Sequence, residues 1–534
     1  MVFLKIVGNT GPGTFTFECK NGASIAIQHA FDGLPFMHRF ELSASQQKVR
    51  YNSRNLASQV EKDIIATGET QGIFFGHMPL FSVWQHIKTL IYRFDRMVLR
   101  PPKWRDISPS SQMVGVTATP NYPLPPGANG SDDAHVLVSK TDANMMQHIH
   151  SDTLEPQQLF DYGDFHDQLQ GNLSAAHHQY DPETNTIYNI TLDLMTSALT
   201  VFSIDGSGKT TVLAKITHRL DKKKSRIRPA YIHSFWLTKE FIIIPEAPLY
   251  YTYAGIGLLA GGPALSCFHW DPQAPTYLHV IRRRSNVCHV ASIAVDPFFT
   301  FHVGSAWDEW NEDEKDHIIE LNCSAYSNGD ILYQVHSFGN PLRSGTDPAV
   351  YRANSFQTPD PLTGVPLPPT RQSSFGDFRR YVIRLNSTTC ESGTIVANVE
   401  FLRYRQDPTL SPHQYMYGCQ FERASMSNSE RYSLIKVDIR SGTVTAKYDH
   451  DGYLCSEPIF APKPGAIEED DGVLLSFVNQ FRSLSSSPQQ DRCFLVVLDA
   501  KTLKEVARCH IGSFTANTFH GSFVNERFEN VSIN

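Results

Sequence analysis

The chain reads as an all-β protein, a seven-bladed β-propeller with loops and a short helical cap over one face. Three observations lead there. From about residue 130 onward, short runs of alternating apolar and polar residues recur, each pair split by a polar turn. Long stretches at helical spacing are nearly absent between them. The 534 residues also match what about seven four-stranded blades would consume. Alternation with period 2 puts apolar side chains on one face of a strand, which makes each run–turn–run unit a hairpin. A pair of large β-sandwiches is the weaker alternative. Residues 1–534 then form a single domain.

The units follow one another along the chain. YDPETNTIYNITLDL turns at Asp181–Asn185, and VFSIDGSGKTTVLAKI turns at Asp205-Gly206. HWDPQAPTYLHVI, IKVDIRSGTVTAKY and LVVLDAKTLKEVARC turn at Asp271, Asp438 and Asp499. Asp caps its own backbone in such turns, and Gly accepts positive φ. The exception is LFSVWQHIKTLIYRF (80–94), where Leu80, Val83, Trp84, Ile87, Leu90, Ile91 and Phe94 recur at helical spacing. That stripe fits a helix laid on the β-core. It also fits an apolar face that meets lipid, with Arg93, Arg96 and Arg100 at the headgroups. Residues 101–130 and 355–376 are rich in Pro, Ser and Gly and read as long loops over one face.

Two motifs are decoys. Asp205–Thr211 has the look of a phosphate-binding loop. However, Ser203 stands where that loop needs Gly, and an alternating TTVLAKI follows where it needs a helix. Glu468–Gly472 lacks the alternating oxygen-ligand spacing of a calcium loop and reads as a solvated turn.

Composition excludes several classes. Net charge is −7, and the only basic triplets are Lys222–Lys224 and Arg282–Arg284, so nucleic acid is not an expected partner. Nine scattered cysteines without a CxxC pair, and no signal-like start, point to reduced thiols in the cytoplasm. No run approaches 18 apolar residues, so no membrane-spanning helix is expected.

Four histidines, His177, His233, His302 and His520, lie in strand-like runs: SAAHHQYD, YIHSFWL, FFTFHVGSA and TFHGSFV. Neutral imidazole suits a divalent transition metal, and a buried ring needs partners for its nitrogens. The histidines are too far apart for any local ligand spacing. Each can equally be a satisfied core or turn histidine, and only a fold that gathers distant strands would unite them.

Taken together the motifs resemble the carotenoid cleavage oxygenases. FDGLPFMHRFEL (31–42) is similar to that family's early signature. AHHQYDPETN, IHSFWLT, FFTFHVGSAWDE and TFHGSF resemble its four iron-ligand segments in the same order, and SEPIFAPKPGAIEEDDGVLLSFV (456–478) resembles its C-terminal stretch. The resemblance implies a seven-bladed propeller with one Fe(II) on its axis, bound by His177, His233, His302 and His520. It also implies that Asp142 in KTDAN serves His233, Glu400 in NVEFLRY serves His302 and Glu457 in SEPIF serves His520. A carboxylate accepting Nδ1–H fixes the tautomer and presents Nε2 to the metal. Read without the resemblance, these three are turn caps or surface ion pairs.

The implied reaction is addition of O2 across one C=C bond of an apolar polyene, giving two carbonyl products. Phe235, Trp236, Phe298, Phe299, Phe301, Trp307 and Phe519 stand near the ligand segments and either line an apolar tunnel or pack the core. The fungal branch, which includes torulene-, β-carotene- and stilbene-cleaving enzymes, is the most similar. Stilbene-cleaving relatives hold a phenol oxygen with a Lys just before the Asp142 position. Here that residue is Thr141, with Lys140 one step earlier and so on the opposite strand face. This favours a carotenoid over a hydroxystilbene. A propeller that binds carotenoid without cleaving it is a further alternative. It is motivated by the early Gly11-Pro12-Gly13, which leaves little sequence for the strand that closes the ring and raises a shortened first blade.

Overall fold

The computed structural model describes the chain except for residues 1–3, 28, 44–45, 71, 73, 78–81, 100–102, 129–134, 260–262, 335–373, 407–409, 424–429, 481–491, 514–517, 526–529 and 533–534. Seven antiparallel blades form the body. Blade 1 runs from Thr117–Pro120 to Pro156–Phe160, and blade 2 from Leu173–Ser174 and Gln179–Asp181 to Thr210–Ile216. Blade 3 runs from Trp236–Leu237 to Cys288–Val295, and blade 4 from Val303–Asn311 to Thr389–Val396. Blades 5 (Val399–Arg403 to Thr443–Tyr448) and 6 (Ile459–Pro462 to Glu505–Gly512) join through Tyr453–Cys455 into one nine-stranded sheet. Four of the five expected hairpins are present, including Leu199–Asp205 with Thr210–Ile216, where the Asp205 carboxylate accepts the Ser207 and Lys209 amides. The one expected at Asp271 is not: Phe268–Trp270 pairs with Leu249–Tyr251, whereas Thr276–Arg282 pairs with Phe241–Glu246 and Cys288–Val295, so the Asp271 turn joins two sheets.

Blade 7 closes the ring from both ends of the sequence. His520–Val524 pairs with Leu4–Thr14, which pairs in turn with Leu34–Ser43. The region before Gly11-Pro12-Gly13, where a shortened blade was in question, supplies this strand, with Thr10 opposite His520 and Ile6 opposite Val524.

Alternating side chains stitch neighbouring blades together. In Phe241–Glu246, Ile242 and Ile244 pack toward blade 2 against Ile190 and Val201. Phe241 and Ile243 pack toward blade 4 against Ile319 and Leu321. A strand covered on both faces needs apolar residues at every position, which is why FIII has no polar alternation. Each such side chain contributes about 1.5–3 kcal/mol by burial.

Among the described residues the two long helices are α1 (Ser58–Thr67) and α2 (Val83–Phe94), both in the cap. Ser82 and Gln85 form a reciprocal capping box at the start of α2. The orientation of α2 corrects the expectation of an apolar stripe laid on the core. Val83 is 81% and Trp84 64% exposed, and Ile87, Leu90, Ile91 and Phe94 are exposed too. The buried positions are Thr89 and Arg93. Arg93, expected at a lipid headgroup, points inward and donates to the Leu258 carbonyl at 2.6 Å and the Gly72 carbonyl at 2.9 Å. These two carbonyls hold the guanidinium inward and turn the apolar stripe to the outside. Leu80 and Arg100 lie outside the described residues. The expected loop 101–130 carries a short turn of helix at Trp104–Asp106 and then the first strand of blade 1. Most of the loop expected at 355–376 lies outside the described residues.

Candidate metal centre

Every blade sends one distinctive side chain to the axis. Blades 2, 3, 4 and 7 supply His177, His233, His302 and His520, each at or just before the start of an inner strand. Blades 1, 5 and 6 supply Asp142, Glu400 and Glu457. The four imidazoles bring one nitrogen each to within 4.8 Å of the others. Their rings meet edge to face, His177 lying 4.4 Å from His520 and 4.8 Å from His233 between centroids.

The carboxylates orient three of the rings. His233 Nδ1 donates to Asp142 Oδ1 at 2.8 Å, His302 Nδ1 to Glu400 Oε2 at 2.6 Å, and His520 Nδ1 to Glu457 Oε1 at 3.1 Å. Each carboxylate can only accept, so the proton sits on Nδ1 and Nε2 carries a lone pair. His302 Nε2 and His520 Nε2 are then two lone pairs facing each other at 3.1 Å with no hydrogen between them. His177 Nε2 is buried without a hydrogen-bond partner. Converging lone pairs repel unless a cation lies among them. Metal–imidazole bonds of about 2.1 Å at right angles put neighbouring nitrogens about 3.0 Å apart, so the donor set fits a divalent transition metal.

Each carboxylate is in turn held by a second group. Tyr231 donates its hydroxyl to Asp142 at 2.9 Å, and Tyr326 donates to Glu400 at 3.0 Å. Arg403 Nη2 donates to Glu457 at 2.9 Å and to the Gly521 carbonyl at 2.7 Å, while the Gly521 amide donates back to Glu457 at 2.9 Å. A side chain at Gly521 would meet Ile459 and Asn9, which is why TFHGSF needs glycine there. Burial alone would raise the Glu457 pKa, but the Arg403 guanidinium and His520 bring it to about 2. Burial lowers His520 to about 4 and His177 well below the usual imidazole range, with the neighbouring rings adding to the effect. Three carboxylates and one guanidinium sum to −3 + 1 = −2, the charge that offsets a divalent ion. Phe401 holds the left-handed backbone at φ 56 and lays its ring over His302 at 5.1 Å. That conformation is costly for a bulky residue and is sustained by the packing around it.

His177 differs from the other three. Among the described residues no carboxylate bonds to it. Its neighbour His178 instead contacts the buried Lys140, whose Nζ lies 4.9 Å from the Tyr122 ring centroid. Burial drives the Lys140 pKa well below the lysine range.

A cavity of about 1850 Å³ descends from the cap to His233, His302 and His520. Phe31, Phe301 and Phe519 stand over the rings, with Phe31 edge-on to Phe301 at 5.8 Å and to Phe519 at 5.4 Å. Of the aromatics singled out from the sequence, Phe301 and Phe519 line this cavity. Phe235, Trp236 and Phe298 are packed between blades, and Phe299 packs beneath the cap. Trp307 lies farther along its strand and does not line it. Thr141 lines the cavity and Lys140 does not, as the strand alternation predicts. The outer mouth carries Tyr92, Arg96, Met195 and Ile256, beside the exposed face of α2.

The family model described as retinal pigment epithelial membrane protein, RPE65, matches residues 9–525. The chain belongs to this carotenoid oxygenase family. Its members depend on Fe(II). A carotenoid dioxygenase of Neurospora crassa is 27% identical over 562 residues, covering 96% of this chain and 85% of that protein. A torulene dioxygenase of Fusarium fujikuroi is 25% identical, covering 96% and 87%. A mitochondrial carotenoid-cleaving dioxygenase of Pongo abelii is 26% identical, covering 96% and 88%. The solved structure of cobalt-substituted Synechocystis ACO, an apocarotenoid oxygenase, superposes with a TM-score of 0.67 at 20% identity, covering 98% of this chain and 92% of that one. That likeness is one of fold, a β-propeller.

Sequence reasoning missed Tyr231, Tyr326 and Arg403. Tyr231 was within reach: it stands two residues before His233, on the same face of an extended run. Arg403 follows Glu400 across a bulge, where alternation no longer tells which way a side chain points.

Proposed function

We propose that this carotenoid oxygenase is a non-haem Fe(II) dioxygenase that cleaves one C=C bond of a carotenoid or apocarotenoid, such as torulene or β-carotene, to two aldehydes. The observation that carries this reading is the convergence of four imidazoles at the inner end of a large aromatic cavity. His177, His233, His302 and His520 would hold the metal. Fe(II) bound there supplies the one-electron chemistry that ground-state O2 needs to react with a closed-shell polyene. The chain's own residues do the rest. Asp142, Glu400 and Glu457 keep three Nε2 atoms unprotonated and aimed inward. Phe31, Phe301 and Phe519 exclude water and hold the polyene so that one double bond lies over the histidines.

Two further observations support the substrate and its source. Lys140, the nearest candidate to grip a phenol, is buried against His178 and Tyr122 rather than facing the cavity, which favours a carotenoid over a hydroxystilbene. Tyr92, an exposed residue of α2, lines the large cavity and so brings this helix to the cavity's edge, which suits a polyene drawn from a bilayer surface. We place the protein in the cytoplasm, touching membrane peripherally through α2. All nine cysteines are free, and among the described residues no helix is long and apolar enough to cross a membrane.

The test is product analysis by liquid chromatography–mass spectrometry. Fe(II)-loaded protein is given torulene, β-carotene and resveratrol separately in aerated detergent. An apocarotenal from either carotenoid is expected. Hydroxybenzaldehydes from resveratrol alone would overturn the substrate, and no product with iron bound would overturn the activity.

A further inference from the structure

The axis carries a second, smaller cavity of about 80 Å³ that meets the histidines from the other end. It touches His177, His302 and Glu457, whereas the large cavity touches His233, His302 and His520. Its other walls come from residues that follow the ligand histidines, namely Gln179, Leu237 and Gly304, as the inner strands run away from the cap. We propose that the metal enters and leaves the centre through this axial chamber rather than through the polyene cavity. The proposal rests on the four-histidine reading above.

Three observations carry it. First, where the large cavity nears the histidines, Phe31 packs edge-on against both Phe301 and Phe519 and lines the approach with aromatic carbon. A hydrated divalent ion loses its water shell only where oxygen or nitrogen atoms replace it, and aromatic carbon offers none. Second, the axial chamber is lined by residues that carry such atoms, His178, Gln179, Tyr404 and Gln406, and reaches Glu457, whose charge is balanced by Arg403 in the same wall. Its volume holds two or so waters at about 30 Å³ each, enough for an ion that keeps part of its shell. Third, His178 lines the chamber and its Nε2 is buried without a hydrogen-bond partner, so the wall calls for a polar occupant. His177, the one ligand with no carboxylate behind it, faces this chamber as well.

The route has a gate that substitution can narrow or widen. Leu410 lines the chamber, packs against the core between blades 2 and 3, and bonds to no metal ligand. The experiment follows Co(II) uptake by the metal-free full-length protein by stopped-flow absorption, and its removal by excess chelator. Wild type, Leu410→Trp and Leu410→Ala are compared, each with and without β-carotene bound in detergent under anaerobic conditions. Leu410→Trp is expected to slow uptake and release by the same factor, about tenfold, leaving Kd unchanged. Leu410→Ala is expected to speed both, and bound β-carotene to change neither. Wild-type rates in both variants, or uptake blocked by β-carotene, would overturn the route. Failure of wild type to bind Co(II) at all would instead overturn the four-histidine reading.

Discussion

Along the axis of the ring, Glu400, Glu457 and Arg403 are withdrawn from solvent and Asp142 is half-buried, and each meets its partner within 3.1 Å. On α2 the pattern is inverted: Val83, Trp84 and Ile91 stand in solvent while Arg93 is buried. Both regions leave a strong physical demand on display, charge away from water in one and apolar surface in water in the other. The axis meets its demand within the chain and needs only a cation to complete it. The outer face of α2 has no protein partner among the described residues, and the proposed membrane contact would supply its complement. Buried charge therefore marks where the protein does its chemistry, and exposed apolar surface marks where it meets its surroundings.

Substitutions separate the two regions. The largest effect is expected from His302→Ala, which removes an imidazole and leaves Glu400 buried without its partner. It should abolish bound iron, measured by elemental analysis, together with aldehyde formation. Vesicle binding through α2 should persist, and its loss would show that the regions are not independent. Arg403→Met should come next. It strands Glu457, 4% exposed at its side chain, at a cost of about 3–5 kcal/mol, read as a lower urea midpoint. Arg403→Met with Glu457→Gln should recover most of that stability without restoring full metal affinity. Glu400→Gln keeps the shape but weakens the hold on His302, and should lower metal affinity or activity about 10–100-fold.

Trp84→Asp with Ile87→Asp should leave metal content and turnover in detergent unchanged. It should shift stability by no more than about 0.5 kcal/mol, as for other surface changes. Co-sedimentation with liposomes should fall, and equal partitioning of variant and wild type would break the contrast drawn above. The smallest and most graded effect is with pH. His29 and His38, at the base of the cap and in blade 7, are lowered by burial to about 4 from the ordinary 6.5. Above pH 6.5 neither affects stability. As pH falls from there toward 4, the unfolded chain binds protons that the folded chain refuses, so each histidine costs about 1.4 kcal/mol per pH unit. Urea titrations at pH 7, 6 and 5 should show that decline in the ring.

The repeated hairpins made the blades legible, because alternation and Asp-Gly turns are local signals and a propeller is built almost wholly from them. The candidate metal ligands were legible only as ordered motifs. Nothing in the spacing of His177, His233, His302 and His520 brings them together; the closure of seven blades does. The helix at 83–94 was legible from its periodicity, but a period tells which residues share a face and not what covers it. Arg93 decided that orientation through the Gly72 and Leu258 carbonyls, from loops whose positions no local pattern fixes. The role of Arg403 was hidden for a similar reason, since its partner Glu457 belongs to the next blade.

The pairing of His520 with Thr10 sets a timetable for synthesis. A ribosome releases Asp142, His177, His233 and His302 long before it reaches the strand that completes blade 7. Until then the emerging chain offers three imidazoles on an open arc, with Thr10 and the rest of its first strand lacking one edge partner. Iron captured at that stage would sit in an unfinished site, exposed to water and oxidant. Translation therefore works as a timer: the proposed ligand set is complete only when the last strand docks, and a transcript cut short of it lacks His520, however well its first blades fold.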